Sequence, residues 1–153
     1  MKVVINFKSV GLSCSNELFL QYCRRIDRPM FVYLLIQEHF RNQSAIFKQI
    51  SHEDITIDFP PLLGQTSKYT PVYRIKFSDI DLGDVTESEP QTKFNFYHLD
   101  RTDETLIEMV EEGLFNYLKV VEIPDDMEWY IDEENISYDE FREIVREKPR
   151  IFR

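Results

Sequence analysis

A single α/β or α+β domain spanning residues 1–153 is predicted by three observations. A chain of 153 residues with 42% hydrophobic and 14% aromatic side chains is long and apolar enough to close one core. Within residues 1–37 a β-branched run, a helical stripe and a second apolar run follow one another, the pattern of an N-terminal β-α-β unit with a right-handed crossover in a mixed sheet. In the last third, apolar residues before Pro124 and after Asp126 read as two paired strands over 118–132, a C-terminal acidic β-turn-β segment. Pro124-Asp125-Asp126 supplies its fixed φ and its back-bonding carboxylates.

Taken in order, Lys2 to Phe7 is apolar without alternation, as in a strand covered on both faces. Ser13 or Ser15 caps a helix whose buried stripe is Leu18, Phe19, Tyr22, Cys23 and Ile26; Arg24, Arg25 and Arg28 suit its C-terminal end and Pro29 stops it. Met30 to Gln37 follows a proline and carries Phe, Val, Tyr and Ile, so it is expected as a strand. Ala45, Ile46 and Ile50 suggest a helix over 44–50. Ile55 to Phe59 alternates like a strand that Pro60-Pro61 ends, 64–68 reads as a loop, and Val72 to Phe77 alternates with Tyr73, Ile75 and Phe77 inward. Residues 78–92 are the most loop-like and are expected to form a mobile loop. Phe94 to Leu99 reads as a short strand. Thr102 has the character of an N-cap for a helix with Leu106, Ile107, Met109 and Val110 buried and Gly113 closing it. For 138–152, Phe141, Ile144 and Val145 favour a helix, with a strand pairing back on Trp129 as the alternative; Trp129 itself is expected in the core.

Charge separates the chain into two parts. Residues 99–153 hold 17 of the 28 acidic but only 7 of the 18 basic side chains, leaving 11 of each in residues 1–98, so the whole net charge of −10 lies in the last third. That third repels nucleic acid, and no basic stripe with exposed aromatics is present, so direct nucleic-acid binding is not expected. An acidic surface imitating a phosphate backbone toward a nucleic-acid-binding partner stays open. The longest apolar run, Met30 to Ile36, is far short of the roughly 20 residues of a membrane span, and Val3-Val4-Ile5 is too short for a signal-peptide core. A soluble protein that is not exported is expected. Cys14 and Cys23 have no metal-ligand spacing and read as reduced thiols.

Three blocks carry a resemblance: Met1-Lys2-Val3-Val4-Ile5-Asn6 with Gly11-Leu12-Ser13; Asp100-Arg101-Thr102-Asp103 with Leu106-Ile107 and Val110-Glu111-Glu112-Gly113; and Leu118 to Glu134, above all Lys119-Val120-Val121-Glu122-Ile123-Pro124-Asp125-Asp126 with Glu128-Trp129. In order and approximate spacing the chain resembles small uncharacterised proteins of tailed bacteriophages and giant DNA viruses. The resemblance implies a viral origin and work in the host cytoplasm, a strand at Met30 to Gln37 and a strand at the C-terminus, and it brings no reaction with it. The chain departs from the family's pattern in keeping only Gly11 in the loop after the first strand. It has Glu140 near Tyr138-Asp139, where those proteins have a hairpin glycine, and Lys148-Pro149-Arg150-Ile151-Phe152 where they commonly end in a His-Arg-Thr-Trp-like sequence. Residues 41–92 have no counterpart.

Two groups of residues are site candidates. The loop at residues 9–16, with Ser9, Gly11, Ser13 and Ser15, leads from a strand into a helix N-terminus, where unpaired backbone N–H groups accept a nucleotide, phosphate or carboxylate; it is neither a Walker loop nor a dinucleotide fingerprint. The acidic group Glu122, Asp125, Asp126, Glu128, Asp132, Glu133 and Glu134 is a candidate partner-binding surface. Alternation puts Glu122 and Glu128 opposite Val121, Ile123 and Trp129, as on a solvent face rather than in a catalytic pair. No catalytic residue, metal site or cofactor is expected. His39, His52 and His98 are scattered, no serine sits in a nucleophile elbow, and the Asp79 to Asp84 stretch, similar in composition to a calcium loop, has Pro90 where such a loop needs glutamate. The reading is a viral accessory protein, non-enzymatic, that binds a basic or nucleic-acid-binding protein through its acidic third. The alternatives are a small-ligand binder or enzyme using the 9–16 loop and a structural virion component.

Overall fold

A computed structural model describes residues 1–39, 41–56 and 74–149. The chain has mixed α and β structure, mostly strands with two helices, in three antiparallel sheets among the described residues. It falls into two compact units, one formed by Met1–Cys14 with Phe96–Arg153 and the other by Ser15–Asn95.

In the first unit β1 (Lys2–Asn6) pairs antiparallel with β6 (Leu118–Glu122), Val4 lying opposite Val120. Val3, Val4 and Ile5 are all buried, the both-faces burial that an unalternating β-branched run implies. Helix α2 (Glu104–Glu111) packs on this pair with Leu106, Met109 and Val110 buried. Its N-cap is Asp103, whose carboxylate accepts from Leu106 N–H at 2.9 Å, and not Thr102 as expected; Thr102 instead donates its backbone N–H and its hydroxyl to Asp100 in the preceding turn. Gly113, at φ +81°, ends the helix as expected.

After β6, Asp125 and Asp126 make the expected turn, with Met127 N–H bonded to Pro124 C=O at 3.1 Å. The flanking strands do not pair with each other. β7 (Trp129–Ser137) pairs with β8 (Glu140–Glu147), Trp129 opposite Glu147, so residues 140–147 form a strand and not the helix that periodicity favoured. Phe141, Ile144 and Val145 fit a helical face, but the long partner strand decides between the two periods. Trp129 is partly buried and lies outside the core. The Tyr138-Asp139 turn joins β7 to β8, and Asp139 takes φ +57°, the conformation a glycine would adopt without strain.

In the second unit a four-stranded antiparallel sheet runs β4 (Ile75–Ser78), β2 (Phe31–Gln37), β3 (Ile46–Ile50), β5 (Val85–Thr86). The expected β-α-β unit is therefore not formed, nor is a mixed sheet. β1 and β2 lie in different sheets, because β2 finds antiparallel partners on both edges and β1 takes β6. Residues 46–50 form a strand rather than a helix, since pairing with β2 buries Phe47 and turns Lys48 to solvent. His52–Thr56 is a 3-10 turn where the expected strand begins, and the rest of that strand, the 64–68 loop and Val72 and Tyr73 lie outside the described residues. Phe96–His98 is a 3-10 turn rather than a strand.

Helix α1 (Asn16–Arg25) starts at Ser15, whose hydroxyl accepts from Leu18 N–H at 3.2 Å, and ends before Asp27, which is left-handed at φ +54°. Leu20 is buried along with Phe19, Tyr22 and Cys23, whereas Ile26, expected inside, is exposed. Phe19 meets Phe77 and Phe94 in tilted contacts with ring centroids 4.6 and 5.4 Å apart, and Tyr22 stacks on Phe94 at 5.5 Å. On β2 and β3, Tyr33, Leu35 and Phe47 form a cluster, where the Tyr33 hydroxyl accepts from Leu82 N–H at 2.8 Å. Within 78–92, Asp79 accepts from Arg28 (3.0 Å), Thr92 (2.8 Å) and Lys93 N–H (2.9 Å), and β5 joins the sheet.

Candidate functional site

Pairing with β6 uses alternate N–H groups of β1 and its continuation, Phe7 N–H reaching Tyr117 C=O at 3.0 Å, so Val4 and Asn6 point to the other edge. There Val4 N–H meets Arg101 C=O at 2.8 Å, and Asn6 N–H meets the Glu143 carboxylate, also at 2.8 Å. An exposed strand edge is a site for unwanted pairing, and β8 closes this one with a side chain.

The loop that follows is shaped by Asn6. Its Oδ1 accepts from Lys8 N–H (3.1 Å) and Ser9 N–H (2.8 Å), and its Nδ2 donates to Gly11 C=O (3.0 Å). Gly11 sits at φ +89° with open space where a Cβ would be, and its N–H points to Glu143 Oε2 at 2.7 Å. Arg101 completes the ring: Nη1 meets Oε1 at 2.5 Å and Nη2 meets Oε2 at 2.9 Å, a bidentate pair. Glu143 is only 2% exposed and has four charge-assisted donors on two oxygens. Burial pushes this carboxyl up, yet the Arg101 guanidinium and the Asn6 and Gly11 N–H groups together hold it below the usual glutamate range.

Within the 9–16 loop, Gly11 gives its N–H to a carboxylate of the chain itself, that of Glu143. Ser9 gives its N–H to Asn6, Ser13 C=O accepts from the Tyr117 hydroxyl, and Ser15 caps α1 as the first residue of the second unit. The structure therefore does not gather the four residues around one point. Sequence reasoning passed over Glu143; the one signal was its place in the alternation Phe141, Glu143, Val145, where an inward-facing residue belongs.

The acidic candidates are spread along the first unit rather than converging. Glu122, Asp125, Asp126, Glu128 and Glu133 are exposed. Asp125 accepts from the Met1 amino group at 2.5 Å, Asp132 pairs with Arg146 at 2.6 Å, and Glu134 with Arg142 at 3.4 Å. Asp125 and Asp132 are held below the usual carboxylate range, Asp125 first by its bond to the amino group and Asp132 first by Glu133 N–H. At the tip of the β7–β8 hairpin, Ile136, Tyr138 and Phe141 are exposed, Tyr138 to 91%. Asp139 and Glu140 sit between the two aromatic residues in the chain.

In the second unit an open cleft of about 460 Å³ lies over Leu35 and Phe47, with Glu38, His39, Lys76 and Glu87 at its rim. None of the sequence candidates lines it. His52 bonds Met30 C=O at 2.7 Å, and burial pushes the Cys23 thiol up to about 11 despite Arg28 nearby. Among the described residues no group of three or more His, Cys, Asp or Glu could hold a metal ion, and no helix is long and apolar enough to cross a membrane. Comparison with family models, with curated proteins and with solved structures finds no match for this chain.

Proposed function

We propose that this is a non-enzymatic accessory protein, of viral origin as its resemblance implies, that binds a basic macromolecular partner in the host cytoplasm through its acidic C-terminal third. The observation carrying this reading is the tip of the β7–β8 hairpin, where Tyr138 stands 91% exposed between two strands of acidic composition. From Trp129 to Glu147 the hairpin holds Asp132, Glu133, Glu134, Asp139, Glu140, Glu143 and Glu147 against Arg142 and Arg146. Glu143 is buried and Asp132 and Glu134 are paired, so Glu133, Asp139 and Glu140 are the carboxylates presented beside Ile136, Tyr138 and Phe141. Aromatic anchors supply contact area at low entropic cost, and surrounding negative charge selects and steers a basic surface.

The test compares wild type with Tyr138→Ser/Phe141→Ser and with Asp139→Lys/Glu140→Lys as baits in host lysate at about 50 mM and about 500 mM salt. A partner retained by wild type at low salt, and lost roughly tenfold or more in both variants and at high salt, supports the reading. Equal capture by all three baits, or no specific capture at either salt, removes it.

A further inference from the structure

We propose that the ring of donors made by Asn6 N–H, Gly11 N–H and the Arg101 guanidinium is a carboxylate-binding site in its own right, filled by Glu143 as an internal ligand and able to take a small monocarboxylate once that side chain is removed. The inference does not rest on the macromolecule-binding reading.

The site is built without Glu143. The Asn6 side chain ties the loop by three bonds to Lys8, Ser9 and Gly11, and Arg101 Nη1 also bonds Val4 C=O at 3.3 Å. Removing the Glu143 side chain leaves every one of these contacts in place, so two N–H groups and a guanidinium stay aimed at an empty, buried point. An unmatched, partly buried cation and two unmatched donors are costly, which is what makes such a point attract an anion.

The geometry also selects the anion. Each carboxylate oxygen receives one backbone N–H and one guanidinium nitrogen, Oε1 from Asn6 and Nη1, Oε2 from Gly11 and Nη2. Four donors on two coplanar oxygens match a planar carboxylate, and the fork of Arg101 matches it bidentately. A tetrahedral phosphate would bring two further oxygens into a space where Glu143 has 2% exposure. Formate and acetate are therefore the ligands expected, ahead of phosphate. Glu143 arrives from β8 on the hairpin while the donors belong to β1, its loop and the 100–102 turn, so the filled site is also the tie that holds the hairpin to the rest of its unit.

Glu143→Ala is titrated with formate, acetate and phosphate, against sodium chloride at matched ionic strength, and followed by thermal unfolding and by the amide resonances of Asn6 and Gly11. Expected are a saturable rise in Tm of roughly 3–5 °C with formate or acetate, and return of both amide shifts toward their wild-type positions. Neither change should occur in wild type or Glu143→Gln, whose sites are filled, nor in Glu143→Ala/Arg101→Ala, which lacks the fork. No rise beyond that in chloride, or an equal rise in wild type, overturns the proposal. Should Glu143→Ala be unfolded in buffer, recovery of its circular dichroism in formate supports the proposal and failure to recover overturns it.

Discussion

Glu143 carries its charge in a place with almost no water, so its protonation is coupled to folding. Its folded pKa lies below that of an unfolded glutamate, so the stability it contributes is present above the unfolded value and is lost as pH falls through the folded one. Acid titration of Tm should show that loss in wild type and a smaller one in Glu143→Gln. At neutral pH, Glu143→Ala should cost about 3–5 kcal/mol in denaturant unfolding, because it strands Arg101 and two N–H groups rather than removing a surface pair. The cysteines allow a second check at this scale. Cys23 is 1% exposed and its thiol is pushed up to about 11, chiefly by burial, so iodoacetamide at pH 8 should leave it unlabelled in the native state and label it after denaturation. Labelling of native Cys23 within minutes would contradict the burial described.

Among the elements, α2 shows how little separates neighbouring caps. Asp103 accepts the Leu106 N–H while Thr102 is committed to Asp100, so Asp103→Ala should cost about 1 kcal/mol of stability and Thr102→Val distinctly less. The reverse order would assign the cap to Thr102. The β7–β8 hairpin gives a test of backbone strain. Asp139 at φ +57° occupies a conformation that costs an L-residue and not a glycine, so Asp139→Gly should raise stability by about 0.5 kcal/mol, visible as a higher unfolding midpoint with an unchanged denaturant slope. The same reasoning explains how the turn forms without a glycine. Aspartate, like asparagine, tolerates the left-handed region better than most side chains.

For the molecule as a whole, the second unit enters the first between Cys14 and Phe96 and carries its own sheet, helix and buried cluster. A segment with a core of its own is expected to fold alone. Residues 15–95 expressed separately should unfold cooperatively with retained near-ultraviolet dichroism, and a featureless spectrum would show that this unit depends on the other. Charge follows the same division, since the excess acid belongs to residues 99–153 and hence to the first unit. The salt sensitivity proposed for partner binding should therefore be a property of the first unit only.

Most of the individual elements could be read from residue patterns. The apolar runs Val3 to Ile5 and Phe31 to Gln37 and the helical faces Phe19-Tyr22-Cys23 and Leu106-Met109-Val110 are local patterns that burial respects. Where the helical period was favoured and a strand formed, at Ile46 to Ile50 and at Phe141 to Val145, the outcome was decided by the partner strand. Pairing was illegible for the same reason. A strand, a helix and a strand in succession are compatible with one sheet or two, and it is β6, more than 100 residues on, that claims β1. The 9–16 loop contributes the Gly11 N–H to the Glu143 carboxylate, and the other three donors come from Asn6 and Arg101. That the anion is Glu143 is a matter of three-dimensional closure: a carboxylate, a guanidinium and two amides far apart in the chain neutralise one another only once folding has brought them together and driven out the water.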